Sequence, residues 1–175
     1  MSNLLSGSGA RSTARPKTVI FANSKGGVGK STLALLMGLG LATRHQDASV
    51  KLIDLDPQAT SSDSLRRFCD MRFSVVNDTR LNLADGGPDN ENIVKTIDAE
   101  RNSQYNKRFV VLDSAAGSDP SRSPFLFQCD IMLIPTSVSD ADIFATKKYL
   151  AALHNLFSTH EIRHTTPPPA LVVLP

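Results

Sequence analysis

The chain alternates between short apolar runs and longer segments in which apolar residues recur at helical spacing. The short runs predict buried strands at residues 18–23, 49–55, 75–76, 108–113, 131–135 and 170–174. The longer segments predict helices over residues 30–45, 60–73, 91–103, 120–128 and 139–160. Because strands and helices alternate, we expect an α/β fold: a mostly parallel, twisted sheet with helices on both faces.

Composition and charge divide the chain into a tail and a body. The 175 residues are 41% apolar and 21% charged, which is typical of one globular domain. Residues 1–16 are rich in Ser, Gly and Thr, carry Arg11 and Arg15 without any acid, and are predicted to be a flexible basic tail. Residues 17–175 hold 17 basic and 17 acidic side chains. Net charge therefore does not indicate a basic, nucleic-acid-binding body, although it leaves room for a local patch.

The cysteine spacing argues against a cysteine-ligated metal site, and the length of the apolar runs argues against a membrane-spanning helix. Cys69 and Cys129 lack the spacing of a metal site, and we interpret both as small buried apolar residues. The longest apolar run, residues 33–42, is too short to cross a bilayer and is interrupted by glycines. These features predict a protein of the reducing cytoplasm without a membrane segment.

Candidate chemistry begins directly after the first predicted strand, where the sequence reads Ser24-Lys25-Gly26-Gly27-Val28-Gly29-Lys30-Ser31-Thr32. Glycines allow backbone N–H groups to converge on phosphate oxygens, and the following helix directs its N-terminal dipole at the same anion. Lys30 offers a point charge to the β- and γ-phosphates, and the Ser31 hydroxyl is placed to ligate Mg²⁺. The segment from Lys25 to Thr32 is therefore predicted to bind a nucleotide.

The lysine at position 25 makes this string resemble the deviant Walker A motif of the ParA/MinD family of partition and positioning ATPases. Three further segments resemble that family in the same order. Asp54-Leu55-Asp56-Pro57-Gln58 is similar to its DxDPQ segment, and Asp113-Ser114-Ala115-Ala116-Gly117 to its D-T-x-x-G Walker B ending. Ile134-Pro135 and Ser139-x-x-Asp142 match a further, less specific stretch. The resemblance runs from about residue 17 to residue 174, favours the ParA-like branch and implies a P-loop NTPase fold.

The resemblance implies a role for each matching residue. Lys25 would reach across a nucleotide-sandwich dimer to the partner's phosphates, Asp56 would position the attacking water, and Asp113 would hold Mg²⁺ through water. Asp54 has two interpretations, since it either supports Mg²⁺ from a distance or satisfies backbone donors. A nucleotide-sensing switch would comprise Asp56, Pro57, Gln58 and Gly117.

The implied function is that of a Mg²⁺- and ATP-dependent ATPase that forms a homodimer on binding ATP. It would bind DNA non-specifically, respond to a small activating partner protein and act slowly alone, in plasmid or chromosome partition or cargo positioning. The resemblance places it in the bacterial cytoplasm, in association with the nucleoid. Two alternatives share the same motifs: an accessory ATPase of conjugative DNA transfer or secretion that recruits a DNA-processing complex, and a nucleotide-switched binding module with little hydrolysis.

Two features depart from the family pattern. Ala115-Ala116 replaces prolines that are frequent in the Walker B loop, which changes loop stiffness more than role. The sequence also ends at Pro175, directly after an apolar run, where relatives continue with further elements. A fragment, a truncated chain and a short family member all fit this pattern, which leads us to expect an incomplete C-terminal side of the domain.

Overall fold

The computed structural model describes residues 14–58, 62, 72–161 and 167–175. Its strands are β1 (Lys17–Phe21), β2 (Ala48–Asp54), β3 (Phe73–Val76), β4 (Lys107–Asp113), β5 (Ile131–Pro135) and β6 (Ala170–Leu174). Its α-helices are α1 (Lys30–Arg44), α2 (Asn90–Ala99) and α3 (Asp140–Glu161). The helix predicted over residues 60–73 lies mostly outside the described residues, and its predicted last residue, Phe73, instead begins β3.

The strands form one sheet in the order β3-β2-β4-β1-β5-β6, and every neighbouring pair is parallel. Parallel neighbours need a crossover connection, and α1, α2 and α3 lie in the connections from β1 to β2, from β3 to β4 and from β5 to β6. The predicted α/β architecture is therefore confirmed.

Helices cover the sheet on both faces because successive strand residues point in opposite directions. On one face, Ile20, Ile53 and Leu112 pack in a cluster with residues of α2 and α3. On the other face, the adjacent residues Phe21, Leu52 and Val111 pack against α1. The strands consequently read as continuous apolar runs, which is the pattern expected when both faces of a sheet are buried.

The strand register brings the chemistry-bearing loops together at one edge of the sheet. Asp54, the last residue of β2, pairs with Asp113, the last residue of β4. Asp113 also pairs with Phe21, where β1 ends. The loop after β1 therefore starts beside Asp113 and one strand away from Asp54, at the edge where parallel α/β sheets bind ligands in a crevice.

Two predicted helices differ in detail from the structure. The segment predicted as one helix over residues 120–128 forms two short 3₁₀-helices, Pro120–Arg122 and Pro124–Gln128. A proline inside an α-helix lacks the N–H that would bond one turn back, so Pro124 interrupts a continuous helix. The helix predicted over residues 91–103 is α2, which begins after an Asp89 N-cap and ends in a 3₁₀ turn, Glu100–Asn102.

Residues 14–16, which we assigned to the tail, contact the body in the structure. Pro16 is buried, the Arg15 guanidinium donates to the carbonyl of Gln128, and Arg108 donates to the carbonyl of Ala14 at 2.9 Å. The rest of the predicted tail, with Arg11, lies outside the described residues. Within the described part of the chain, no helix is both long and apolar enough to cross a bilayer.

Cys129 is buried beside the start of β5, as predicted. Burial raises the pKa of its thiol to about 12, so the thiol stays protonated and unreactive at neutral pH. Cys69 lies outside the described residues.

Candidate functional site

The loop between β1 and α1 has the backbone conformation that its glycines suggest. Gly27 and Gly29 have φ angles of 77° and 87°, in the left-handed region that residues with a Cβ avoid. Gly29 is also the N-cap of α1, where no side chain caps the helix and no acidic residue occupies the first turn. The α1 N-terminus is therefore shaped for an anion, and Ser31 and Thr32 lie in its first turn.

Lys30 lies inside the loop rather than on its surface. The residue is only 5% exposed, and its Nζ donates to the carbonyl oxygen of Lys25 at 2.8 Å. Burial lowers the pKa of the Lys30 ammonium, while the nearby carboxylates of Asp113 and Asp56 act in the opposite direction. The structure thus places a buried cation between the loop and two of the predicted carboxylates.

Lys25 has the opposite environment. Its side chain is 43% exposed, and its Nζ lies 3.3 Å from Asp142 Oδ1 at the start of α3. The Ser139 hydroxyl donates to the other oxygen, Asp142 Oδ2, at 2.7 Å, and Ser139 Oγ accepts from the Asp142 amide. The bond from the Asp142 amide to Ser139 Oγ is one of the two bonds of a capping box, whereas the Asp142 carboxylate accepts from the Ser139 hydroxyl instead of the Ser139 amide. Ser139 therefore caps α3 and holds the carboxylate that pairs with Lys25.

Asp54 uses both carboxylate oxygens to accept backbone N–H groups. Its Oδ1 accepts from Asp56 at 3.0 Å, and its Oδ2 accepts from Ser62 at 3.1 Å. Of the two interpretations of Asp54, the satisfaction of backbone donors is the one that these contacts describe. The residue is 1% exposed and shapes the loop that carries Asp56.

Asp56 is partly exposed, and its negative charge opposes the lowering of the Lys30 pKa by burial. Its Oδ1 accepts from the amide of Gln58 at 2.9 Å, which folds the exposed Pro57–Gln58 step back over the carboxylate. An Asp in such a turn caps the backbone locally and still presents charge to the crevice.

Asp113 and Gly117 link the end of β4 to the β1–α1 loop. Asp113 is fully buried, and its carbonyl accepts from the amide of Leu55 at 2.9 Å. Gly117 has a φ of 75°, and its amide donates to the carbonyl of Ser24 at 2.8 Å. The loop after β4 is therefore hydrogen-bonded to the first residue of the glycine-rich loop.

Two asparagines support the site although the sequence analysis did not single them out. Asn23 is fully buried; its side chain accepts from the Lys25 amide at 3.1 Å and donates at 2.9 Å to both the Pro135 carbonyl and the Thr146 hydroxyl. Asn77 donates at 3.2 Å to the carbonyls of Asp54 and Asp56. A buried amide at the end of an apolar run was the available signal for Asn23, since a buried polar group needs partners.

The donor set fits a nucleotide triphosphate with a divalent cation. The uncapped α1 N-terminus and the buried Lys30 suit phosphate oxygens, and the Ser31 hydroxyl and Asp113 carboxylate are hard oxygen ligands of the kind Mg²⁺ prefers. A Cβ added at Gly26 would meet Ala116 at an ordinary 3.6 Å, so this position is less restricted than Gly27 or Gly29.

A family model described as an AAA domain, AAA_31, matches residues 16–111, which is more than half of the chain. The chain belongs to this family. The match covers the β1–α1 loop, the Asp54–Gln58 segment and β4 up to Val111. A curated relative of this AAA domain is the maintenance of carboxysome distribution protein A of Halothiobacillus neapolitanus, which is 28% identical over 144 residues. That alignment covers 82% of this chain and 61% of the relative, so the AAA domain spans about three-fifths of that protein.

Solved structures share the fold of this AAA domain. A complex of a Cyanothece McdA variant with ATP matches with a TM-score of 0.62 at 16% identity, covering 93% of this chain and 70% of the other. MinD of Aquifex aeolicus matches with a TM-score of 0.61 at 19% identity, and the match covers 90% of this chain and 68% of MinD. A structure of pNOB8 ParA bound to nonspecific DNA matches with a TM-score of 0.57 at 20% identity, and the match covers 77% of this chain and 58% of that ParA chain. Together with the family match, they confirm the P-loop fold and the recognition of the chain as a ParA/MinD family member.

Proposed function

We propose that this AAA domain is a Mg²⁺-dependent ATPase of the ParA type, which dimerises on binding ATP and positions DNA or another large cargo. The observation that carries the proposal is the opposite placement of two lysines of one loop. Lys30 is buried beside Asp113 and Asp56, whereas Lys25 is directed outwards. A second lysine that is partly exposed, and lies apart from the buried one, is what a role across a dimer requires.

Within one chain, we assign phosphate binding to the β1–α1 loop. The glycine-rich backbone and the α1 N-terminus would bind phosphate oxygens, and the Lys30 ammonium would neutralise the charge of the terminal phosphates. Because Lys30 is partly desolvated, its attraction to a phosphate is stronger than it would be in water. Ser31 and Asp113 would hold Mg²⁺, which would neutralise charge on the transferred phosphoryl group.

For hydrolysis, we assign the orientation of water to Asp56. Its carboxylate lies on the Lys30 side of the crevice, in a loop fixed by Asp54 and Asn77. A carboxylate held in this way accepts a proton from a water molecule and aims the oxygen at the phosphate. The Lys25 ammonium of a second copy would add a positive charge to the same phosphates, as an arginine finger does.

Slow hydrolysis by the isolated chain follows from this arrangement, since Lys25 acts only after dimerisation. Stimulation by a small partner protein and non-specific DNA binding complete the proposal. Support comes from two structures with the same fold, an ATP complex of a McdA variant and a ParA bound to nonspecific DNA. The body of the chain, residues 17–175, has no excess of basic residues, so a DNA-binding patch would be assembled from two copies.

The deciding experiment is a DNA-binding titration with ATP, with ADP and without nucleotide, for the wild type, Lys25→Ala and Asp56→Ala. We expect binding that requires ATP, is lost in Lys25→Ala, and persists in Asp56→Ala because that variant binds ATP but hydrolyses it slowly. Equal ATP turnover in wild type and Lys25→Ala would overturn the role in trans. Absence of DNA binding in every nucleotide state would overturn the DNA part of the proposal and favour a protein cargo.

A further inference from the structure

A cavity of about 220 Å³ is lined by the loop that follows β4. We call this loop, residues 114–119, the post-β4 loop, and the space beneath it the post-β4 cavity. The turn at residues 82–88 forms the opposite wall, and Ile20, Ala22, Leu55 and Tyr149 contribute to the lining. The nucleotide-binding residues Lys25 to Thr32 do not line it.

The lining combines apolar side chains with a similar number of polar ones. Ile20, Leu126 and Phe125 are buried apolar residues of the lining. Ser114 also lines it, is 6% exposed, and its Oγ has no hydrogen-bond partner among the described residues. Small-molecule sites combine apolar walls with polar groups that orient the ligand, and a buried hydroxyl without a partner loses free energy that a ligand can restore.

The charges of the lining favour a neutral ligand over an anion. Among the described lining residues, Arg122 is the one cation and forms an ion pair with Asp85, while Asp119 adds a second carboxylate. The lining therefore carries a net charge of about −1, which repels phosphates and carboxylates. Burial raises the pKa of the Tyr149 hydroxyl above its usual range, so this group stays neutral.

Arg122 lies close to Gly87 in the lining of the cavity. A Cβ built at Gly87 would collide with the Arg122 guanidinium, the flexible end of a side chain. The missing side chain thus leaves the space in which Arg122 lies across the turn and reaches Asp85.

We propose that the post-β4 cavity binds a small neutral molecule that has an apolar body and one hydroxyl or amide group, and that the occupant stabilises the post-β4 loop. The loop connects the cavity to the nucleotide crevice. Its residue Gly117 donates to Ser24 of the glycine-rich loop, and the Ser114 amide donates to the Phe21 carbonyl at 3.1 Å. A ligand that orders this loop therefore changes nucleotide affinity, and the nucleotide changes ligand affinity by the same factor.

The test uses three fluorinated probes of nearly equal size with the full 175-residue chain, followed by ¹⁹F NMR at pH 7. They are 4-fluorophenol, fluorobenzene and 4-fluorobenzoate. We expect 4-fluorophenol to bind with a dissociation constant on the order of a millimolar, a typical value for so small a ligand. Fluorobenzene, which lacks the hydroxyl, is expected to bind at least threefold more weakly, and the anionic benzoate not to bind.

The variant Ala115→Leu places a larger side chain in the lining, and Ala151→Leu makes the same change at an exposed α3 position outside it. We expect Ala115→Leu to weaken the binding of 4-fluorophenol at least tenfold and Ala151→Leu to leave this affinity unchanged. If Ala115→Leu does not fold, two other measurements test the site. They are the binding of the probes to Ser114→Ala and the changes in the amide chemical shifts of Gly117, Ser118 and Tyr149 when 4-fluorophenol is added to the wild type. Ser114→Ala should abolish the preference for the phenol over fluorobenzene.

The proposal is overturned if none of the probes binds, if folded Ala115→Leu binds as well as the wild type, or if the amide shifts map elsewhere. Any of these results would mean that the cavity holds water only. The coupling is measured as a change of at least threefold in the affinity for a fluorescent ATP analogue when 4-fluorophenol is saturating. This second step rests on the proposed function: probe binding without nucleotide binding would contradict the ATPase and leave the cavity site standing.

Discussion

Lys25 and Lys30 belong to one loop, yet their side chains lie in different environments. Lys30 is buried and its charge interacts with the carboxylates of Asp113 and Asp56. Lys25 is 43% exposed and pairs with Asp142 of α3. The loop backbone separates them, since the carbonyl of Lys25 accepts from the Lys30 ammonium. Identical side chains thus take different roles because the backbone turns between them, and the inner lysine suits a ligand of its own chain.

The largest effect is expected from removing the inner charge. Lys30→Met should weaken the binding of a non-hydrolysable ATP analogue by about 100-fold, since the phosphate charge loses its partly desolvated partner. Burial lowers the pKa of Lys30, so the charged ammonium costs stability at neutral pH, and this cost falls as pH rises through the lowered pKa. The melting temperature of nucleotide-free Lys30→Met should therefore equal or exceed that of the wild type. Calorimetric titration and thermal unfolding measure both, with the exposed Lys147→Met as control.

A substitution at Asp56 tests whether this carboxylate acts in ATP hydrolysis without contributing to ATP binding. Asp56→Ala should lower ATP hydrolysis by roughly 100-fold, as expected for loss of a general base, while analogue affinity changes less than threefold. Phosphate release and the same titration give the two numbers, and the exposed α2 residue Asp98→Ala serves as control. A loss of affinity that matches the loss of rate would show that Asp56 acts in binding.

The outer lysine is examined by changing each member of its ion pair. Lys25→Ala should abolish the ATP-dependent dimer, whereas Asp142→Asn should strengthen it several-fold, because it frees Lys25 from its own chain. Asp140→Asn, an exposed position two residues earlier, is the matched control. Sedimentation velocity with the ATP analogue measures the dimer. Weaker dimerisation of Asp142→Asn would mean that Asp142 supports the interface instead of holding Lys25 back.

The smallest effect concerns the acidity of Asp142. The hydrogen bond from Ser139, with a smaller contribution from Lys25, holds the pKa of the Asp142 carboxyl below its usual range. The ion pair is therefore intact above the usual carboxyl range and is lost as pH falls through the lowered pKa. Ser139→Ala should raise this pKa more than Lys25→Ala does. An NMR titration of the carboxyl group checks the order, and the reverse order would assign the larger role to the ion pair.

The two lysines also illustrate which features of the site can be predicted from short sequence patterns. Both were recognised in the sequence, because the glycine spacing identifies the loop and position 25 marks it as deviant. The strand ends at Asp54 and Asp113 were equally readable, since an apolar run followed by Asp predicts a buried strand with a carboxylate at its edge. The continuous helix predicted over residues 120–128 was not found, because Pro120 and Pro124 each start a separate short turn.

By itself, the sequence determined the alternation of strands and helices, the glycine-rich loop and the residues able to meet a nucleotide. These features depend on the residue types at neighbouring positions and on spacing within single elements. Only the tertiary structure decided that Asp142 pairs with Lys25, that Asn23 joins the loop to β5 and α3, and that a cavity lies under the post-β4 loop. The reason is that these contacts join residues far apart in the chain, and strand order and register, not local spacing, bring them together.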